Sequence, residues 1–212
     1  MTDLTGNLII EGPAGKLEAL LKEPAGEVSR VAIVCHPHPL FGGTMHNKVV
    51  YRIAKAFLNE GFATVRFNFR GTGRSQGAHD AGNGEQDDLR AVIRFVEEKY
   101  KEAELWLAGF SFGARVMLSV GCGESRPRAL VAGGTPVSKY DFSSFARCEK
   151  PKLFIQGGKD EFGSVEDLEK FVAGVSGPSQ IKIVDGADHF FEGRLDEVQQ
   201  AVSEFIQSLR QT

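Results

Sequence analysis

The chain contains one short stretch in which an apolar strand pattern changes to a helical pattern across a single serine. Residues 105–108 are all apolar, and residues 114–118 continue with helical character. Between them lie Gly109, Ser111 and Gly113, in the order Gly-x-Ser-x-Gly. Glycine at both positions permits a turn so tight that a side chain there would collide with the neighbouring strand or helix. The pattern is typical of a nucleophile elbow, which holds a strained serine at the positive end of a helix. An ordinary glycine-rich turn is the alternative.

Apolar segments of strand length alternate with helical patterns along the rest of the chain. The run 31–35 is rich in β-branched residues, as in a central strand that is buried on both faces. Two apolar stretches near the N-terminus, 8–12 and 16–21, are separated by turn residues and predict an antiparallel hairpin at a sheet edge.

The remaining elements complete a fold of the α/β class. The further predicted strands are 62–69, 105–108, 129–132, 152–156 and 181–184, and the predicted helices begin at Asn47, near Glu85, after Ser111, at Ser164 and near Arg194. Strands that alternate with helices favour a mostly parallel sheet with helices on both faces. We therefore predict a single domain of this kind over residues 1–212.

The overall charge and the cysteines limit the class of protein. A net charge of −3 gives no bulk attraction to nucleic acid or to an anionic membrane, and no apolar run approaches the ~20 residues that span a bilayer. Residues Met1–Thr5 lack the basic region and apolar core of a signal peptide. Cys35, Cys122 and Cys148 have no metal-type spacing, and an odd count without an export signal is typical of free thiols. We therefore expect a cytoplasmic protein with neither a nucleic-acid partner nor a membrane partner.

An acid and a histidine follow later strands, in the order that a serine hydrolase requires. In an open parallel sheet, ligands bind outside the carboxyl ends of the strands. Asp160 comes four residues after an apolar strand and can accept the Nδ1 proton of a histidine, with Glu161 and Asp185 as the alternative acids. His189 follows the last predicted strand and can accept and return a proton near neutral pH. We therefore predict Ser111, Asp160 and His189 as a catalytic triad, against the alternatives of a solvated aspartate and a packing histidine.

The oxyanion that develops in such a reaction needs backbone N–H donors. One predicted donor is Phe112, the residue after the serine, and the other comes from the loop after the first central strand. Pro37 and Pro39 in that loop have no N–H. The remaining donors are His38, Leu40, Phe41 and the glycines. We predict Leu40 as the second donor, preorganised by the two prolines.

Two other patterns suggest different chemistry, and both have the wrong spacing. The glycines of segment 71–77 superficially resemble a dinucleotide-binding loop, but Gln76 stands where the third glycine should be. His36, His38 and His46 could suggest a metal site, but no carboxylate or cysteine accompanies them at ligand spacing. We therefore expect no metal and no cofactor, and we interpret these histidines as loop scaffolding or substrate contacts.

Five stretches together resemble the α/β-hydrolase superfamily, and within it the small bacterial hydrolases near the dienelactone hydrolases. They are 36–43, 66–75, 109–113, 157–160 and 186–189, and they span nearly the whole chain in order. The resemblance implies Ser111 as nucleophile, His189 as base and Asp160 as its orienting acid, with oxyanion donors at the backbone of Phe112 and Leu40. The serine distinguishes this chain from the dienelactone hydrolases themselves, which use a cysteine. Relatives often insert a helical lid between two strands that are here separated only by residues 135–150, so we expect an α/β-hydrolase fold without a lid domain.

We expect a serine hydrolase that cleaves a carboxylic ester, thioester or lactone of a small-molecule acyl substrate through an acyl-serine intermediate. The alternatives are a peptidase or perhydrolase with the same triad, and a non-catalytic binding protein on a hydrolase fold. His38, Phe41 and Phe190 are the predicted substrate contacts. Arg70 and Arg74 could attract a substrate carboxylate, although arginines in a polar loop are usually solvated. Without a lid the site is open, unless a second subunit covers it as in a homodimer.

Overall fold

Eight strands form one sheet in the computed structural model, which describes residues 6–142 and 145–210. The strands are β1 (Gly6–Gly12), β2 (Gly15–Lys22), β3 (Arg30–Cys35), β4 (Ala63–Phe67), β5 (Glu104–Phe110), β6 (Pro127–Gly133), β7 (Lys152–Gly157) and β8 (Ser179–Val184). Their order across the sheet is β1-β2-β4-β3-β5-β6-β7-β8. β1 pairs with β2 and β2 with β4 in antiparallel register, and the other pairings within the described sheet are parallel. The predicted fold class is confirmed, including the antiparallel hairpin at the edge. The prediction made on Met1–Thr5 lies outside the described residues.

Helices cover both faces of this sheet. They are α1 (Lys48–Asn59), α2 (Asn83–Lys99), α3 (Phe112–Gly123), α4 (Val165–Ala173) and α5 (Leu195–Arg210). The side chains of α1 and α5 pack on one face, and those of α2, α3 and α4 pack on the other. Side-chain caps set two of the starts, since Asn47 accepts the N–H groups of the first turn of α1 and Ser164 accepts one from α4. In the described part of the chain, no helix has the length and apolar character needed to cross a membrane.

The central strand β3 shows why the sheet needs helices on both sides. Ile33 and Cys35 pack in the core under α2 and α3, whereas Ala32 and Val34 pack in the core under α1 and α5. All four side chains are fully buried. Because successive side chains of a strand point to opposite faces, a continuous apolar run suits a strand that is covered twice.

The parallel strands direct their following loops to one edge of the sheet. β3, β5, β7 and β8 all run in the same direction, so the segments 36–43, 111–113, 158–163 and 185–189 follow them at their carboxyl ends. The connection from β6 to β7 comprises residues 134–151, and its described part contains no α-helix. The edge that carries the predicted catalytic residues is therefore left without a lid.

Cys122 and Cys148 form a disulfide bond, so the expectation of free thiols is wrong for these two residues. Cys122 lies near the end of α3 and Cys148 lies shortly before β7, and the fold brings their Cα atoms within 5.0 Å. Such proximity is a property of the fold and not of the spacing in the sequence. Cys35 is free, and its burial raises the pKa of its thiol, which makes it unreactive. Oxidising compartments favour disulfides, so the bond argues against the cytoplasmic location, which stays a prediction.

A buried lysine fixes the start of β7, and we expect its removal to destabilise the fold. Lys152 is 1% exposed, and its Nζ donates to the backbone carbonyl oxygens of Cys148, Lys150 and Ser176 at 2.6, 2.6 and 2.8 Å. In Lys152→Met these carbonyls lose their donor, so the free energy of unfolding should fall by about 2–4 kcal/mol. Urea denaturation measures the change, with the exposed Lys55→Met as a matched control. Equal stability of the two variants would contradict the structural role of Lys152.

Candidate active site

Ser111 lies in a strained turn between β5 and α3. Its φ is 56° and its ψ is −121°, a conformation that non-glycine residues rarely adopt. A Cβ on Gly109 would lie 2.3 Å from the carbonyl oxygen of Gly113, and a Cβ on Gly113 would lie 2.4 Å from that of His36. Both glycines are therefore required by close backbone approach. The structure has the elbow geometry, in place of an ordinary turn.

The three predicted catalytic side chains form one hydrogen-bonded chain. His189 Nε2 lies 2.9 Å from Ser111 Oγ, and His189 Nδ1 lies 2.8 Å from Asp160 Oδ2. His189 is 3% exposed and Asp160 is 6% exposed, so water is largely excluded from the pair. A carboxylate beside Nδ1 favours the tautomer that keeps its proton there and leaves Nε2 free to accept the serine proton. Neither Glu161 nor Asp185, the alternative acids, contacts His189 among the described hydrogen bonds.

The carboxylate of Asp160 is held by four donors. Oδ1 accepts the backbone N–H groups of Phe162 at 2.8 Å and Gly163 at 3.3 Å. Oδ2 accepts the side-chain Nε2–H of Gln156 at 2.9 Å, in addition to the proton of His189. Gln156 is fully buried at the end of β7. Sequence reasoning missed Gln156, although a lone polar residue at the end of an apolar strand was a usable signal.

In the loop after β3, the backbone N–H of Leu40 is not free to bind an oxyanion. The N–H of Leu40 donates to Nδ1 of His38 at 3.2 Å, and Leu40 is 70% exposed. The prediction of Leu40 as second oxyanion donor does not fit this geometry, because its amide already has an acceptor. Among the described hydrogen bonds, the backbone N–H groups of His38 and Phe112 have no acceptor, and the rings of these two residues lie 4.8 Å apart. Within the described contacts, the amide of His38, and not that of Leu40, is therefore free, and the ring of His38 contacts the residue that follows Ser111.

A buried imidazole orients this free amide. Nε2 of His36 accepts a hydrogen bond from the backbone N–H of Phe69, at a distance of 3.0 Å. The ring proton is therefore on Nδ1, which donates to the carbonyl oxygen of Pro37 at 2.6 Å. Burial lowers the pKa of His36 to about 4, so the ring is neutral at pH 7. The carbonyl of Pro37 and the N–H of His38 belong to one peptide group. The hydrogen bond from His36 therefore fixes the plane of the peptide that carries the free amide.

A cavity of about 200 Å³ opens beside Ser111. It is lined by Pro37, His38, Phe41, Gly42, Gly43, Asn47, Ser111, Phe162, His189 and Phe190. The predicted contacts His38, Phe41 and Phe190 all lie in it, whereas Asn47 and Phe162 were not predicted. Phe41 is 86% exposed and Phe190 is 50% exposed, so the mouth of the cavity is apolar. This wall suits an uncharged substrate group.

The arginines of the loop after β4 are already paired with carboxylates. Arg70 binds the fully buried Asp88 through two side-chain nitrogens, the shorter contact being 2.8 Å. Arg74 binds Glu18 at 2.9 Å. Neither arginine lines the cavity, so both have a structural role as members of ion pairs. In the described residues, no group of three or more His, Cys, Asp or Glu side chains could hold a metal ion.

This chain is similar to known proteins in sequence and, where a solved structure is compared, in fold. The model of a family described as "Alpha/beta hydrolase domain" matches residues 33–211. A serine hydrolase homologue from Coxiella burnetii is 43% identical, with a TM-score of 0.90 over 96% of this chain and 97% of that one. XC6422 from Xanthomonas campestris, described as an α/β serine hydrolase without lid, is 35% identical, with a TM-score of 0.90 over 99% of this chain and 96% of that one. The uncharacterised protein RP471 from Rickettsia prowazekii is 34% identical over 94% of this chain and 87% of its own length.

Proposed function

This chain belongs to the alpha/beta hydrolase family, and on that premise we propose that it is a serine hydrolase that cleaves a carboxylic ester, thioester or lactone. The observation that carries the proposal is the chain of hydrogen bonds from Asp160 through His189 to Ser111, at 2.8 and 2.9 Å. The serine of this chain borders a cavity that a small acyl substrate can enter.

The proposed reaction begins with attack of Ser111 Oγ on the carbonyl carbon of the substrate. His189 Nε2 takes the serine proton, while Asp160 stabilises the imidazolium that forms. The backbone N–H groups of Phe112 and His38 donate to the oxyanion. His38 takes the place of Leu40, the donor predicted from the sequence. The bond to the leaving oxygen or sulfur then breaks, and that atom takes the proton from His189.

Water completes the cycle. It gives one proton to His189 as its oxygen attacks the acyl-serine, and the returning proton restores the Ser111 hydroxyl as the acid leaves. Because the proton moves between groups already in hydrogen-bond contact, each step requires only residues of this chain and water.

A fluorophosphonate probe and a substrate panel test the proposal together. We expect the probe to label Ser111, as located by peptide mass mapping, and we expect turnover of at least one ester, thioester or lactone. A peptide amide in the panel tests for a peptidase, and hydrogen peroxide as acyl acceptor tests for a perhydrolase. An unlabelled protein that turns over no member of the panel would be the binding protein considered above, and the proposal would be wrong.

A further inference from the structure

The cavity beside Ser111 contains no charged carboxylate, lysine or arginine among its lining residues. Its walls are largely aromatic, and its polar side chains besides Ser111 and His189 are those of Asn47 and His38. Taking a charged group out of water is costly unless an opposite charge meets it. The cavity therefore favours a neutral substrate group, and these two side chains are the polar groups that it offers to one.

The side-chain amide of Asn47 is held in one orientation by the helix that it caps. Its Oδ1 accepts the N–H groups of Val49 at 2.9 Å and Val50 at 3.3 Å. These backbone donors require the oxygen to face the helix, so Nδ2 must be on the other side. Among the described hydrogen bonds Nδ2 has no acceptor, and it is not one of the buried polar atoms without a partner. The amide nitrogen is thus a fixed and accessible donor.

The imidazole of His38 is a second donor of the same kind. Its Nδ1 accepts the N–H of Leu40, so the neutral ring carries its proton on Nε2. Burial lowers the pKa of His38, and the neighbouring His79 lowers it further, which keeps the ring neutral. Nε2 has no acceptor among the described hydrogen bonds and is not a buried unpartnered atom. The contact of the ring with Phe112, at 4.8 Å between centroids, holds it beside the elbow.

The geometry points to a substrate subsite in which Asn47 Nδ2 and His38 Nε2 donate to a neutral oxygen of the substrate, separate from the ester group that Ser111 attacks. The inference rests on the proposed hydrolase function and names its substrate class: short esters with an oxo or alkoxy oxygen in the arm that enters the cavity. An alkyl arm would displace water from both donors and offer them no acceptor, so a substrate with such an arm should bind more weakly. A carboxylate arm would find no cation there.

Two pairs of esters test the subsite, one for each side of the ester bond. p-Nitrophenyl levulinate has a ketone where p-nitrophenyl pentanoate has a methylene, and methoxyethyl acetate has an ether oxygen where butyl acetate has a methylene. For at least one pair we expect kcat/KM of the oxygenated ester to exceed that of its alkyl partner by about tenfold, the effect of one neutral hydrogen bond. A ratio near one for both pairs would overturn the subsite while leaving the proposed hydrolase in place.

Asn47→Asp isolates the donor, because an aspartate caps the helix equally well but presents an oxygen in place of Nδ2. The ratio of kcat/KM for the oxygenated ester to that for its alkyl partner should fall to about one or below. The carboxylate oxygen would face the substrate oxygen, and two acceptors cannot form a hydrogen bond. Asn59→Asp adds the same charge at the exposed far end of α1 and should keep the wild-type ratio. An unchanged ratio in Asn47→Asp would overturn the subsite. If none of the four esters were turned over and Ser111 remained unlabelled, the proposed function would fail and the subsite with it.

Discussion

Replacing Ser111 with Ala should lower kcat/KM for p-nitrophenyl acetate by at least about 10⁴-fold, since triad residues act as a unit. Without Oγ there is no atom for the acyl group to bond to, and His189 Nε2 loses the partner that lies 2.9 Å away. The backbone conformation of the turn is set by the close approach of Gly109 and Gly113, which the substitution does not alter. Steady-state kinetics with the background hydrolysis subtracted measure the loss.

Ser119→Ala is the matched control for that variant. Ser119 lies on the same helix, α3, and its hydroxyl donates only to the carbonyl of Arg115 one turn earlier. We expect the control to keep wild-type activity, and both variants to keep the wild-type unfolding temperature. If Ser111→Ala turned over the ester at the rate of the control, Ser111 would not be the nucleophile.

The fold could be predicted because its central strands are short apolar runs that turn residues and helical patterns separate. A strand covered on both faces, such as β3, must be apolar at every position, and a short apolar run between turn residues has few other interpretations. The positions of the catalytic residues followed from the same reasoning, because parallel strands direct Ser111, Asp160 and His189 to one edge. The structure places these three side chains in hydrogen-bond contact.

The details that the sequence did not predict depend on individual side-chain contacts. The choice between Leu40 and His38 as oxyanion donor depends on a short helical turn at Pro39–Phe41, in which the ring of His38 accepts the Leu40 amide. Gln156 was missed because its amide acts through Asp160 and not on the substrate. The cysteine pair was missed because two chain segments meet only in three dimensions. Each of these contacts depends on side-chain positions that neither periodicity nor spacing specifies.

Replacing Asp160 with Asn should lower kcat by about 10⁴-fold while the fold remains intact, because the base would adopt the wrong tautomer. The carboxylate accepts four hydrogen bonds, two at each oxygen. The amide that replaces the carboxylate can be oriented in two ways. With its nitrogen in the place of Oδ1, it faces the N–H donors of Phe162 and Gly163. With its nitrogen in the place of Oδ2, it faces the donors of Gln156 and His189. At Oδ2 the conflict with His189 is relieved if its proton moves to Nε2, which can then no longer accept the proton of Ser111, whereas the N–H of Gln156 still opposes the amide.

Glu161→Gln is the control that tests the assignment of the acid. Glu161 is exposed and lies next to Asp160 in the sequence. From the sequence alone, it was an alternative to Asp160 as the acid of the triad. It has no described contact with His189, so its loss should leave kcat close to the wild-type value. Kinetics of both variants at one pH, under identical conditions, compare them directly. If Glu161→Gln lost activity and Asp160→Asn kept it, the acid would be Glu161 and the hydrogen bond at 2.8 Å would not be the one that matters in the reaction.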